Sequence, residues 1–256
     1  MLLGLISVAA AEPLFGALDI ARRGEIILQP GIEVFPVAGA GGSMSPELMV
    51  DAGFGRGFDV RAGAGLAVPL YATDDGAMLP PYNDPELAFL DLAARWTLTG
   101  DDPVYPDDQL SLGLRVSSRP FDSRYGGTGE LGFGPEFATS HRLGSAFLLF
   151  RPSFLTQPGW WPDGFGYLGL ATSLTVPLPW ADLFVDLDPR GWFMMGSSGN
   201  SGPVLMVEPT VEARLGARVH LGARHRLIVA ATWSPESFHW EKNLAGYVGY
   251  HGSFGG

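Results

Sequence analysis

Along residues 58–71 apolar and polar side chains change places at every step. Phe58, Val60, Ala62, Ala64, Leu66, Val68 and Leu70 fall at one parity, and Asp59, Arg61, Gly63, Gly65, Ala67, Pro69 and Tyr71 at the other. Side chains alternate faces along a strand, so this spacing makes one wholly apolar face and one face that carries the charges. The run is about fourteen residues long. Strands in soluble domains mostly have about 5–6 residues, whereas a tilted strand that crosses a bilayer needs roughly 9–11. Length and parity together predict a membrane-crossing strand, apolar toward lipid and polar toward an enclosed interior.

The same pattern recurs down the chain. It reads as twelve strands, at 25–37, 47–54, 58–71, 87–98, 110–119, 130–138, 143–155, 165–178, 183–192, 204–219, 226–233 and 244–254. In the fourth, Ala88, Leu90, Leu92, Ala94 and Trp96 oppose Asp91, Arg95 and Thr97. In the tenth, Leu205, Val207, Val211, Ala213, Leu215, Ala217 and Val219 oppose Glu208, Glu212, Arg214 and Arg218. The connections carry a second signal. Those at 55–57, 139–142, 179–182 and 221–225 are short, and those at 72–86, 120–129, 156–164, 193–203 and 234–243 are longer. Tight turns at one end and long loops at the other mark an up-and-down meander. The connection at 99–109 is longer than this rule wants. The fold expected is all-β: a single antiparallel transmembrane β-barrel of about 12 strands, within a range of about 10–14. A soluble β-sandwich is the architectural alternative, with shorter strands and a more highly charged solvent face.

Composition agrees with alternation rather than blocks. Hydrophobic residues are 46% of the 256 and charged residues 17%, yet no run approaches the roughly 18 apolar residues of a membrane helix. The 36 glycines and 21 prolines punctuate turns. A net charge of −11 argues against nucleic acid as a partner. With no cysteine there is no disulfide, no zinc–thiolate site and no lipoprotein anchor.

The start, MLLGLISVAAAEP, reads as the apolar core and small-residue cleavage site of an export signal, cut after Ala11. No Lys or Arg precedes the apolar run, and a short apolar arm packed on the fold is the other reading. The chain then divides into an export segment at 1–11, a periplasmic segment at 12–24 and a barrel at 25–256. Within the second part, Leu14, Leu18 and Ala21 have helical spacing, which suggests a short amphipathic turn or a plug.

Trp96, Trp160, Trp161, Trp180 and Trp192 fall at or near strand ends, where amphipathic rings favour the membrane–water boundary; only Trp233 reads as interior. Pro36, Pro69, Pro152, Pro177 and Pro209 each remove a ladder donor, and Pro209 weakens the middle of the tenth strand.

Inward parity collects charges of both signs. The acids are Glu33, Glu47, Asp51, Asp59, Asp91, Glu130, Glu136, Asp186, Asp188, Glu208 and Glu212. The bases are Arg61, Arg95, Arg115, Arg119, Arg151, Arg190, Arg214 and Arg218. Such charges either pair and close the lumen as a polar core or line a narrow water path and set ion selectivity. About eight strands leave a filled interior and roughly 16–18 an open channel; twelve leaves both outcomes open. Arg115 and Arg119 share a face and would oppose carboxylates of the first, second and tenth strands.

Catalytic chemistry has thin support. His251 and Ser253 share one face of the last strand, and the pair resembles the His-x-Ser of outer-membrane phospholipases and lipid A deacylases. An Asn usually follows that Ser; here Phe254 does. The five histidines are scattered, and Gly39–Gly42 lacks the Lys-Ser/Thr helix of a phosphate loop, so no metal or cofactor is expected.

Residues 244–254, LAGYVGYHGSF, resemble the closing strand of bacterial outer-membrane barrels. Those strands end in an aromatic after alternating apolar positions, as Tyr250 and Phe254 do here, although Gly252 replaces a large apolar residue and two glycines follow Phe254. The resemblance covers the whole mature chain at the level of architecture. It implies a Gram-negative-type outer membrane, a lipid bilayer and the outer-membrane assembly machinery as partners, and both termini in the periplasm. The expected function is a passive, porin-like channel for ions or small solutes. The alternatives are a packed-lumen barrel presenting 72–86 and 193–203 to partners, or an acyl hydrolase using His251 and Ser253.

Overall fold

The computed structural model describes residues 14–15, 20–37, 41–71, 86–99, 109–118, 131–156, 164–197, 203–233 and 244–255. Twelve antiparallel strands close into one barrel: β1 (Glu25–Val37), β2 (Gly41–Gly55), β3 (Phe58–Tyr71), β4 (Glu86–Thr99), β5 (Leu110–Ser117), β6 (Gly132–Leu143), β7 (Ala146–Thr156), β8 (Gly164–Pro177), β9 (Ala181–Ser197), β10 (Pro203–His220), β11 (His225–Trp233) and β12 (Leu244–Gly255). Each strand pairs with its sequence neighbours, and β12 pairs with β1 from Glu25↔Gly255 to Val34↔Gly246, so no edge is left open.

The alternation sorts the side chains. Outward positions carry Leu48, Leu92, Leu114, Leu168, Leu215 and their like, with Leu114 70% exposed. Among the described residues no Asp, Glu, Lys or Arg stands at an outward strand position. A basic side chain there would cost about 2–4 kcal/mol at mid-bilayer, so the uncharged band marks the lipid contact. Phe54 and Phe58, 6.1 Å apart, form an aromatic rim with exposed Trp96 and Trp180 at the end where the described chain ends meet. Trp233 is not interior: it closes β11 and is exposed on the outer face. The strand's last outward position lies at the opposite rim, where a wet indole N–H is satisfied.

β1 and β3 have the bounds read from sequence. β6 runs five residues past Ala138, and its hairpin turns at Gly144 and Ser145, with Gly144 at φ +65°. The polar stretch 139–142 reads as a turn, yet Ser140 is fully buried and keeps the inward parity. Between β6 and β7 only every third step from Phe133↔Thr156 to Thr139↔Phe150 is paired, beside Pro135 and Pro152, which have no N–H to give. Pro209, by contrast, sits in an unbroken β9–β10 ladder opposite Gly191.

No helix forms among the described residues. Leu14, Phe15, Ile20 and Ala21 are instead buried, and Leu18 lies outside the described residues. Leu14 joins Ala138, Phe147, Leu149 and Ala171 on the inner wall, and Phe15 joins Phe184, Ile228, Ala230 and Tyr247.

Candidate functional site

The site is the inner wall. Nine carboxylates and seven guanidiniums are buried among the described residues, an excess of two negative charges. Taking ions out of water is costly unless each finds a partner, and the register supplies partners on neighbouring strands. Asp51 faces Arg61 across β2–β3, and Asp59 faces Arg95 across β3–β4. Arg61 Nε donates to Asp51 Oδ1 at 2.7 Å. Arg95 donates through Nε to Asp59 Oδ1 at 3.1 Å and through Nη2 to both Asp59 and Asp51, the latter at 2.7 Å. Arg95 therefore ties three strands together.

A second group continues around the wall. Arg115 makes a two-pronged contact with Asp91, Nε to Oδ1 at 2.9 Å and Nη2 to Oδ2 at 2.7 Å, and lies 4.0 Å from Glu136. Arg115, expected to oppose carboxylates of strands one, two and ten, is engaged by carboxylates of its ladder neighbours β4 and β6. Across the barrel, Arg214 pairs with Glu212 on its own strand. Asp182 sits 3.0 Å from His220 Nε2 and 3.6 Å from Arg226 Nε. Arg218, Glu33, Asp186, Asp188 and Arg151 are buried inside as well.

Arg61, Arg95, Arg115, Arg214, Arg218, Glu33, Asp51, Asp91 and Glu212 thus all lie on the lumen wall. Glu208 stands opposite Trp192 in the β9–β10 register, and the side chains of both lie outside the described residues, as do Arg119, Trp160 and Trp161 altogether. Asp182 and Arg226 were missed by the sequence reading. Asp182 reads as a turn residue, but its parity matches Asp186 and Asp188, and Arg226 shares the parity of inward Ile228.

Also unforeseen are the apolar inward residues Phe147, Leu149, Phe184 and Ile228. The runs Phe147–Phe150 and Leu227–Ala231 are apolar at both parities. A strand apolar on both faces has something covering its inner side, and here that cover includes Leu14 and Phe15. Phe15 stacks on Tyr247 at 4.2 Å, meets Phe184 edge-on at 6.3 Å, and has the Arg214 guanidinium 5.9 Å from its ring centre. Tyr247 lies flat along the wall. A Cβ on Gly31 or Gly249 would run into its ring, which would then have to shift.

His251 and Ser253 face inward, both buried. Ser253 Oγ donates to Glu25, across the β1–β12 seam. That bond engages the hydroxyl in closing the barrel.

A closed twelve-strand barrel with an uncharged outside and a charged inside defines a class: the bacterial outer-membrane β-barrel proteins, which reside in the outer membrane of Gram-negative-type cells. Within it, the chain is similar in fold to the NanC porin, with a TM-score of 0.56 and 10% identity over 89% of this chain and 98% of that one. It is likewise similar to an outer-membrane channel from Pseudomonas putida F1, with a TM-score of 0.58 and 11% identity over 96% of this chain and 100% of that one. At such identities the likeness is one of fold. No protein-family model matches the sequence, and no curated protein does.

Proposed function

We infer that the protein is a passive, porin-like channel that lets ions and small hydrophilic solutes cross the outer membrane, with the lumen charges setting selectivity. The observation that carries this is the wall itself, where nine carboxylates and seven guanidiniums are turned inward. A barrel needing only to fill its interior would do so at lower desolvation cost with apolar side chains. The fold likeness to a porin and to an outer-membrane channel agrees with it. Export through a signal at 1–11 and recognition of β12 by the assembly machinery belong to the same reading.

The test is single-channel conductance of the folded protein in a planar bilayer under a salt gradient. Discrete steps with a mild cation preference are expected, and Asp186→Asn with Asp188→Asn should move the reversal potential toward anions. Silence from barrels demonstrably folded and inserted would sink the channel reading.

The reading of a packed barrel that presents loops to partners draws on the burial of Leu14 and Phe15 inside the lumen. The acyl-hydrolase reading is weakened by the bond of Ser253 to Glu25.

A further inference from the structure

At the rim where the chain ends meet, the outer wall of β11 and β12 carries a polar group among lipid-facing side chains. His225 opens β11, and Arg226 after it is buried in the lumen, so His225 faces outward. The Tyr250 hydroxyl meets His225 Nδ1 at 2.6 Å, and the two rings stack at 5.9 Å with 16° between their planes. Phe254 closes the cluster, its ring 5.6 Å from that of His225. The Tyr250 ring lies along the wall at Gly252, where a Cβ would run into it. Around the cluster, Ile26, Leu221 and Val248 are apolar and exposed. Arg224 stands beside His225 at the edge of the turn and is exposed. Its Nη1 donates to Gly255 O, and its carbonyl accepts from Ser253 N at 3.0 Å. Side chain and backbone of Arg224 are both tied to the end of β12.

We propose that Arg224, His225, Tyr250 and Phe254 form a binding site for the headgroup of an anionic phospholipid in the periplasmic leaflet, the side of the short turns. The site holds whether or not the lumen conducts. Its depth fits. Trp180 is exposed in the neighbouring turn at the same rim, where its carbonyl accepts from His220 N at 2.9 Å, and exposed indoles mark the headgroup layer. The donors fit a phosphodiester. A guanidinium has several N–H groups in a fork that matches phosphate, and Gly255 O engages one nitrogen of Arg224. With the Tyr250 hydroxyl donating to Nδ1, His225 Nε2 carries a proton, and that nitrogen has no partner among the described residues. The charge fits an anion rather than a zwitterion. Glu25, at the same seam, has one carboxylate oxygen on the Ser253 hydroxyl and the other on Arg22 N at 2.7 Å, so neither is turned to a headgroup amine. In the ring, β10 and β11 stand across from β4 and β5, so the four aspartates of the connection at 99–109 belong to the far side.

The test is native mass spectrometry of the detergent-folded barrel offered equal amounts of phosphatidylglycerol and phosphatidylcholine with the same acyl chains. Preferential retention of phosphatidylglycerol is expected. The preference should fall about fivefold in Arg224→Gln. It should fall about threefold in His225→Phe, which keeps a ring and loses the nitrogens. Arg142→Gln is the control, at the β6–β7 turn of the same rim with its guanidinium 5.9 Å from the Phe147 ring. It should leave the preference within about twofold. His225→Phe decides alone if loss of the Arg224 bond to Gly255 keeps the barrel from closing. Equal retention of the two lipids by the unaltered protein overturns the site. A preference unchanged in His225→Phe overturns it as well. So does an equal fall in Arg142→Gln and Arg224→Gln, which would mark a diffuse positive rim instead.

Discussion

Asp51 on β2 and Arg61 on β3 stand opposite each other in the ladder, and the carboxylate oxygen that accepts Arg61 Nε at 2.7 Å also accepts Arg95 Nη2 from β4 at 2.7 Å. One oxygen therefore serves two buried guanidiniums. Asp51→Asn keeps the shape and removes the charge that both cations share. Removing one member of a buried pair costs about 3–5 kcal/mol, and a loss of that order is expected in chemical unfolding of the detergent-folded barrel. Adding Arg61→Gln should cost less than it does alone, since its partner is already gone.

Tyr247 gives a second prediction. Its ring occupies the space a Cβ would need at Gly31 and Gly249. Gly249→Val must lift the ring into the lumen and should destabilise the barrel by about 1–3 kcal/mol. Gly246 lies on the outer face with nothing near its missing Cβ, so Gly246→Ala should stay within about 0.5 kcal/mol. Equal effects at the two sites would contradict the ring's position.

The exposed indoles give a third. Trp96 and Trp180 belong to the rim at the chain-terminus end, and Trp233 to the opposite rim. In single-tryptophan variants, lipids brominated near the headgroup should quench each of the three more strongly than lipids brominated at the chain end. A Leu114→Trp probe, midway along β5, should show the reverse order. Uniform quenching would remove the interface assignment.

The mature chain should begin at Glu12. Intact-mass measurement of protein taken from the outer membrane tests this: a mass that includes residues 1–11 would mean that the apolar start is kept as an arm.

How legible the molecule is in its sequence depends on how local the cause is. β1 and β3 are readable to the residue because charges such as Glu33, Asp59 and Arg61 fix the parity, and a one-residue slip would turn them to lipid. Asp51, Asp91, Arg95 and Glu212 follow from the same rule. The rule fails where polarity has two meanings. Ser140 looks like turn chemistry and is a buried strand residue; Asp182 looks like the end of a turn and is a lumen carboxylate. It fails again where the partner is distant in sequence. Nothing near Phe184 or Ile228 says that Phe15 will cover them, and nothing near Arg115 says that Asp91 will take it rather than a carboxylate across the lumen.

The seam between β1 and β12 joins Glu25 to Gly255, the two ends of the strand-forming chain. During synthesis the partner of the first strand is therefore the last to be made, and every shorter product has two bare edges with unpaired N–H and C=O groups. Such edges stick to one another, and closing a ring over so long a stretch of chain is slow. The ring is thus an all-or-nothing product. A chain stopped anywhere before β12 is not a smaller barrel but a sticky sheet. The strands must be kept from mispairing until β12 is present, and the bond of Ser253 to Glu25 can form only once that seam closes.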